Sequence, residues 1–249
     1  MVNQVRAELL KLLSLPTAWV GIVLGLIAAP ALALVSAGGT RRAIEDGFHA
    51  DASDAAFQPL GIGLLGALIL GVVVMSSEYT STGEDSPGAR QLQATLAALP
   101  RRWHLVAAKA VTLSLLVTVQ GTITAVATLA LSRVMLGDLV PAAAPGRVAG
   151  AVLYWVLMGL LAYALMLIFR NGIVTLTVLI LNISVVSFSY LLTKVTPLAA
   201  YLPDIVGTHL FLNEVGDVRI APLTAGLVMT GWVVALLGLG GWLFDRRDP

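Results

Sequence analysis

Few side chains in this sequence are equipped for chemistry, and their spacing limits what that chemistry could be. Histidine occurs only at His49, His104 and His209. The three fall in separate segments, with no HExxH pair and no carboxylate cluster beside them, so neither a metal centre nor a hydrolytic relay is expected. Each reads as a loop or interfacial residue. No serine stands in a GxSxG elbow, and the chain has no cysteine to act as thiolate ligand, nucleophile or disulfide partner. A GxxxxGK(S/T) phosphate loop is also missing, so the chain lacks that device for holding ATP. Glu78, Glu84 and Asp85 are the nearest candidates for chemistry at a lipid headgroup, but no catalytic spacing relates them. What remains is polar recognition inside apolar runs. Asn182 lies at the centre of one such run, where an amide left unpaired in hydrocarbon is costly.

The elements that carry these groups are apolar helices. The chain has 249 residues, 58% hydrophobic and 12% charged, with a mean hydropathy of +0.91. A soluble domain carries about 25% charged residues, so the apolar surface here exceeds what a soluble fold could cover. The net charge of +1 gives no overall polarity toward nucleic acid or acidic partners. Six blocks are long enough for a hydrocarbon core of about 30 Å. They lie near residues 17–37, 59–76, 105–131, 148–169, 173–192 and 223–244, which predicts an all-α membrane protein with six transmembrane helices in one domain over residues 1–249. Only Arg170, Asn171 and Gly172 separate the fourth block from the fifth, making them antiparallel neighbours.

Residues 1–15 alternate with helical period. Val2, Val5, Leu9, Leu12 and Leu13 fall on one face, and Asn3, Gln4, Arg6, Glu8 and Lys11 on the other. This predicts an amphipathic helix in the membrane interface; the alternative is a charged lead-in to the first span. Pro16 suits the first turn of a new helix. No cleavable leader is expected, because the first apolar block is too long for one and an amphipathic stretch precedes it. Trp19, Trp103 and Trp242 stand near span ends, as interfacial aromatics do. With the N-terminus inside, nine of the 15 Lys and Arg residues fall on inner segments and six on outer ones, which favours both termini in the cytoplasm.

Small residues recur every fourth position at Gly21, Gly25 and Ala29 and again at Gly63, Ala67 and Gly71, a pattern that lets helix backbones approach closely. Polar rows run along the third span, with Ser114, Thr118 and Thr122 on one face and Gln120, Thr124 and Thr128 on another. The fifth carries Asn182, Ser184, Ser187 and Ser189. Interhelical hydrogen bonding and the wall of a substrate path are both open readings of these rows. No carboxylate is expected at mid-membrane, and Lys109 is expected to snorkel from the third span toward the cytoplasm. Residues 193–222 form a long external connection, in which 203–213 could be a short helix dipping back into the membrane edge; a seventh half-span is the alternative. Residues 77–104 form a long cytoplasmic one. Within it, 90–99 reads as a short amphipathic helix with Leu92, Leu96 and Leu99 on one side and Arg90, Gln91 and Gln93 elsewhere, stopped by Pro100. Such a helix fits either a partner's groove or the headgroup layer.

This loop resembles that of the ABC-2 family of exporter permeases. The matching residues are Ser76-Ser77-Glu78-Tyr79, Ala94-Thr95-Leu96-Ala97-Ala98-Leu99-Pro100-Arg101-Arg102 and Ala107-Ala108-Lys109-Ala110. The opening Arg6-Ala7-Glu8-Leu9-Leu10-Lys11-Leu12 is similar to the family's connecting helix, and Asp245-Arg246-Arg247-Asp248 to its closing segment. The spacer at 80–90 is longer than in the family.

The resemblance implies a type V ABC exporter-like architecture in a bacterial cytoplasmic membrane. The loop helix would be the coupling helix that seats in a separate ABC ATPase subunit, which binds ATP and Mg. The ATPase-facing residues would then be Glu78, Tyr79, Arg90, Gln91, Leu92, Thr95 and Leu96, with Glu8 and Lys11 of the connecting helix. The second and fifth spans would line a path between two permease chains, identical or related, with Gly63, Gly71, Asn182 and Ser184 along it. The cargo would be hydrophobic or amphipathic, such as a peptide, a drug or a lipid-like molecule, and the chain itself would not be an enzyme. Two other functions compete: a non-transporting scaffold or sensor that binds a cytosolic partner through the same loop, and an intramembrane enzyme acting on lipids.

Overall fold

The computed structural model describes residues 2–47, 52–79, 102–183, 188–215 and 218–246. The expected coupling helix, with Arg90, Gln91, Leu92, Thr95 and Leu96, lies outside the described residues, as does Ser184. Of Tyr79 the backbone alone is described.

Ten α-helices occur among the described residues: α1 Val2–Ser14, α2 Pro16–Glu45, α3 Ala52–Phe57, α4 Leu60–Tyr79, α5 Arg102–Leu136, α6 Pro145–Phe169, α7 Gly172–Ile183, α8 Phe188–Thr193, α9 Pro203–Thr208 and α10 Pro222–Arg246. No strand occurs among them. Proline opens α2, α6 and α9 in their first turns, where its missing N–H is not needed. Five helical segments are long and apolar enough to cross a bilayer: Pro16–Glu45, Ala52–Glu78, Trp103–Leu139, Pro145–Phe169 and Pro222–Arg246. The architecture is that of an all-helical, multi-pass membrane protein.

The helices overrun the apolar blocks. The first block ends near residue 37 by hydropathy, but α2 continues through Arg41 and Arg42 to Glu45. Its end is set by Gly47, whose φ of 75° closes the turn with its N–H on the Ile44 carbonyl. Helix α5 has 35 residues, about 52 Å at 1.5 Å per residue, so it extends well past any hydrocarbon core. Hydropathy marks the lipid-facing stretch of a helix and not its ends.

Helices α4 and α6 form the centre, flanked by α2, α5 and α10. Glycines set the close approaches. A Cβ on Gly66 would collide with the backbone of Gly21 and Gly25, and one on Gly71 with the Gly159 carbonyl. The indole of Trp155, buried on α6, fills the space left by Gly63 of α4 and Gly121 of α5, and donates to the Leu60 carbonyl at 3.2 Å. Both small-residue stripes therefore pack helices.

The block at 173–192 is not one described helix. Helix α7 covers 12 residues and α8 six, too few each to span hydrocarbon alone. Residues 170–221 nevertheless join one end of the bundle to the other. Gly207 and Gly226 bring Tyr154, Met229 and Leu210 together at one end, whereas Gly240 packs on Ala164 and Leu167 at the other. Helices α6 and α10 thus run in the same direction, and residues 170–221 must return between them. The connection at 193–222 is folded against the bundle: α9 packs on α6 and α10, and Val206, Leu210 and Phe211 are buried. Both ends of the described chain lie at one end of the bundle, since α1 contacts α5 near Lys109 and Gly241 faces Trp103.

Candidate functional site

The end of the bundle from which residues 80–101 depart holds a compact group of four charges. Lys109 is the eighth residue of α5 and is 1% exposed. Its ammonium has three N–H groups and three acceptors: Glu8 Oε2 at 2.6 Å, Glu78 Oε1 at 2.9 Å and the Val74 carbonyl at 3.0 Å. Lys11 also donates to Glu78 Oε1. Glu78 is buried, and its second oxygen meets no donor among the described residues. Two acids and two bases sum to zero charge, which is the condition for keeping them out of water at tolerable cost.

The four charges come from three helices. Glu8 and Lys11 are three apart on α1 and so share a side of that helix. Glu78 closes the last turn of α4, and Lys109 stands on the second turn of α5. The Val5 carbonyl of α1 lies 3.3 Å from the Thr112 hydroxyl of α5, one turn beyond Lys109. Of the residues expected to face an ATPase, the structure brings together Glu8, Lys11 and Glu78. It directs them at one another and at Lys109.

Three expectations change here. Lys109 does not snorkel; its side chain turns into the bundle because two carboxylates and a carbonyl are there to receive it. The bundle-facing side of α1 includes Glu8 and Leu12, both buried, and leaves Val2 and Leu10 exposed. Its ion pairs, more than its apolar stripe, fix its rotation. Gly63 and Gly71 face Trp155 and the Gly159–Ala162 backbone of α6, so they border helix contacts and not an opening.

Asn182 finds its partners inside the chain. Its Nδ2 donates to Asp204 Oδ2 of α9 at 2.9 Å, and its Oδ1 accepts from Ser189 of α8 at 3.1 Å. The amide, expected along a substrate path, instead ties α7, α8 and α9 together. On the third expected span, Gln120 donates to the Gly21 and Ile22 carbonyls, each at 3.1 Å, and Thr124 to that of Gly25 at 2.9 Å. Gln120 and Thr124 thus bond across to α2 along its glycine stripe, whereas Thr128 returns its hydroxyl to the Thr124 carbonyl of α5. Ser114, Thr118 and Thr122 return their hydroxyls to carbonyls four residues earlier in α5.

A second ion pair at the opposite end was not anticipated. Arg147 pairs with Asp54 and donates to Ser53 Oγ and the Phe211 carbonyl, both at 2.7 Å. Its guanidinium stacks 4.1 Å from the Phe57 ring centroid. Asp54 also accepts the backbone N–H groups of Asn213 and Glu214, each at 2.9 Å. The sequence signal was slight: one carboxylate directly before the apolar Ala55-Ala56-Phe57. His209 is likewise buried in this folded connection, its ring nitrogens 3.2 Å and 3.0 Å from the Ile205 and Val218 carbonyls.

Among the described residues no group of three or more His, Cys, Asp or Glu is arranged to hold a metal ion. A lateral cavity of about 640 Å³ opens between the beginning of α2, the end of α4 and the α6–α7 turn, and another of about 680 Å³ lies between α5 and α6. No protein-family model, curated protein or solved structure matches this chain.

Proposed function

We propose that this chain is the membrane-spanning subunit of an ABC-type exporter, of the ABC-2 permease kind, powered by an ATPase on a separate chain. The observation that carries the reading is the shared charge group at the loop end. Residues 80–101 join α4 to α5, and Glu78 and Lys109 stand on those two helices beside the junctions. Glu8 and Lys11 bind α1 to both. Force applied to the loop by a cytosolic motor would reach α4 and α5 first, and buried ion pairs would make α1 move with them. The resemblance of residues 76–110 to the family's coupling segment supplies the identity of the motor.

On this reading both termini and the loop are cytoplasmic, in a bacterial cytoplasmic membrane, and α7 with α8 completes a sixth crossing. ATP and Mg are held by the partner ATPase. A second permease chain, a copy or a relative, completes the path, and the cargo is hydrophobic or amphipathic.

The test is isolation of the tagged chain from its native membranes, followed by sequencing of what it retains. The expected companion carries a GxxxxGK(S/T) phosphate loop, and inverted vesicles containing both move an apolar fluorescent probe only with ATP. A retained partner without a phosphate loop, and no ATP-dependent movement, would establish the scaffold function instead.

A further inference from the structure

The cavity between α5 and α6 is a groove that runs along the helix axes. Thr118 and Thr122 belong to its α5 wall, and Val148, Val152 and Val156 to its α6 wall. Both threonine hydroxyls donate back to α5, to the Ser114 and Thr118 carbonyls, so the wall they present is effectively apolar. Along α6 the lining begins at Pro145, the first residue of the helix, and ends at Val156. At 1.5 Å per residue that stretch is about 16 Å long. A hydrocarbon core is about 30 Å thick, so the groove has the depth of one leaflet. At about 680 Å³ it falls within the range of small-molecule sites. It opens sideways to lipid, with Leu153 on its edge 44% exposed.

Arg133 stands over the mouth of this groove. It follows Thr122 on the unbroken helix α5 by three turns, to within about 20°, so the two leave the helix on the same side. Its depth follows from Gly121. A Cβ there would meet the Trp155 ring at 2.8 Å and Val152 at 3.6 Å, which puts Gly121 level with residues 152–155 of antiparallel α6. Counted outward by the helical rise, Arg133 lies about 5 Å beyond Pro145. Helical side chains lean toward the N-terminus of their own helix, which here is back toward the groove. Arg133 is exposed, and among the described residues it forms no ion pair, Asp138 included. Arg147, near the same level, is instead held by Asp54 and the Phe211 carbonyl.

We infer that the groove binds one acyl chain of a phospholipid from the leaflet at the Arg147 end of the bundle, with the lipid phosphate on Arg133. Charge complementarity selects phosphate, since a guanidinium grips phosphate oxygens in pairs. The apolar wall, one leaflet deep, selects a membrane lipid over a free phosphate, which has no use for it. The inference needs the bilayer but not the transport function proposed above.

The experiment is native mass spectrometry of the full chain released from vesicles of equal phosphatidylglycerol and diglucosyl diacylglycerol. The two lipids carry like chains, and only the first has a phosphate; glycerol phosphate serves as soluble competitor. Wild type should retain phosphatidylglycerol selectively and be indifferent to glycerol phosphate. Arg133→Gln should reduce that retention about tenfold, the loss of one charged hydrogen-bond contact, and should melt as wild type does. Arg42→Gln, which removes an exposed cation of α2 near the same end, should leave retention unchanged. Ala149→Trp, which fills the groove from its α6 wall, should reduce retention of both lipids. Equal retention of the two lipids by wild type, an equal loss in Arg133→Gln and Arg42→Gln, or unchanged retention in either Arg133→Gln or Ala149→Trp would overturn the proposal. So would displacement by glycerol phosphate, which would identify a free phosphate as the ligand. Because the chain has no cysteine, Leu153→Cys reports a rival occupant. Its efficient disulfide cross-linking between copies in the bilayer would assign the groove to a second copy and also overturn the proposal.

Discussion

Lys109 shows how one buried ion determines several neighbours. Each of its three N–H groups has an acceptor, and two of these are carboxylates from different helices. Removing the ammonium leaves Glu8 and Glu78 facing each other with Lys11 alone to compensate. Lys109→Met is therefore expected to cost about 3–5 kcal/mol, the usual consequence of breaking a buried pair from one side. Arg219→Ala should cause no measurable loss, since its contact with Glu214 is 4.0 Å long and exposed. Chemical unfolding of both variants in the same detergent checks the contrast; equal stability would mean the charges are solvated. The residue types of this group were legible in the sequence, because Glu8 and Lys11 belong to the stretch that resembles the family's connecting helix, and Glu78 and Lys109 to the stretches that resemble its coupling loop. Their mutual pairing was not. A lysine at a span end is compatible with snorkelling as well as with burial, and the choice depends on whether acceptors wait inside. Asn182 was legible in the same partial way: its need for a partner followed from hydrocarbon, but Asp204 arrives from a segment that hydropathy treats as a loop, and Ser189 of the same apolar block offers no sign in the sequence that it turns toward Asn182.

At the scale of the element, glycine positions separate into two kinds. Gly71 lies where any Cβ would meet the Gly159 backbone, which cannot yield without parting α4 from α6. Gly71→Val should destabilise by about 1–3 kcal/mol or more through overpacking. Gly38 is also helical, in the last turns of α2, but a Cβ added there would meet nothing within 4 Å. Gly38→Ala should stabilise by about 0.5–1 kcal/mol from helix propensity. Thermal melts in one detergent distinguish the two, and a neutral Gly71→Val would show that α4 and α6 do not pack as described. The every-fourth-residue stripes made close packing readable from the sequence. Their partner helices were not readable, so Gly63 and Gly71 could be taken for a path when Trp155 and α6 in fact fill the space.

For the whole molecule, the bundle has two distinct ends. One holds the Glu8–Lys11–Glu78–Lys109 group with the N-terminal helix and the end of α10. The other holds Asp54 and Arg147 with the folded connection before α10. The number and length of the apolar blocks made a helical multi-pass bundle evident from the sequence alone. The packing of residues 203–214 onto its far end was not evident, because only tertiary partners such as Asp54 and Tyr154 hold that segment there. The absence of cysteine permits a direct test of the topology with an impermeant thiol reagent. Val2→Cys and Arg246→Cys should label from one side of the membrane and Arg219→Cys from the other. Labelling of Val2→Cys and Arg246→Cys from opposite sides would contradict the bundle. The proposed division of labour, spans in this chain and ATP in another, is tested most directly by hydrolysis itself. ATP turnover is measured on the purified chain in nanodiscs, then on the same chain with the phosphate-loop protein it retains. We expect no Mg-dependent turnover above the empty-disc rate in the first case and sustained turnover in the second; turnover by the chain alone would contradict the account.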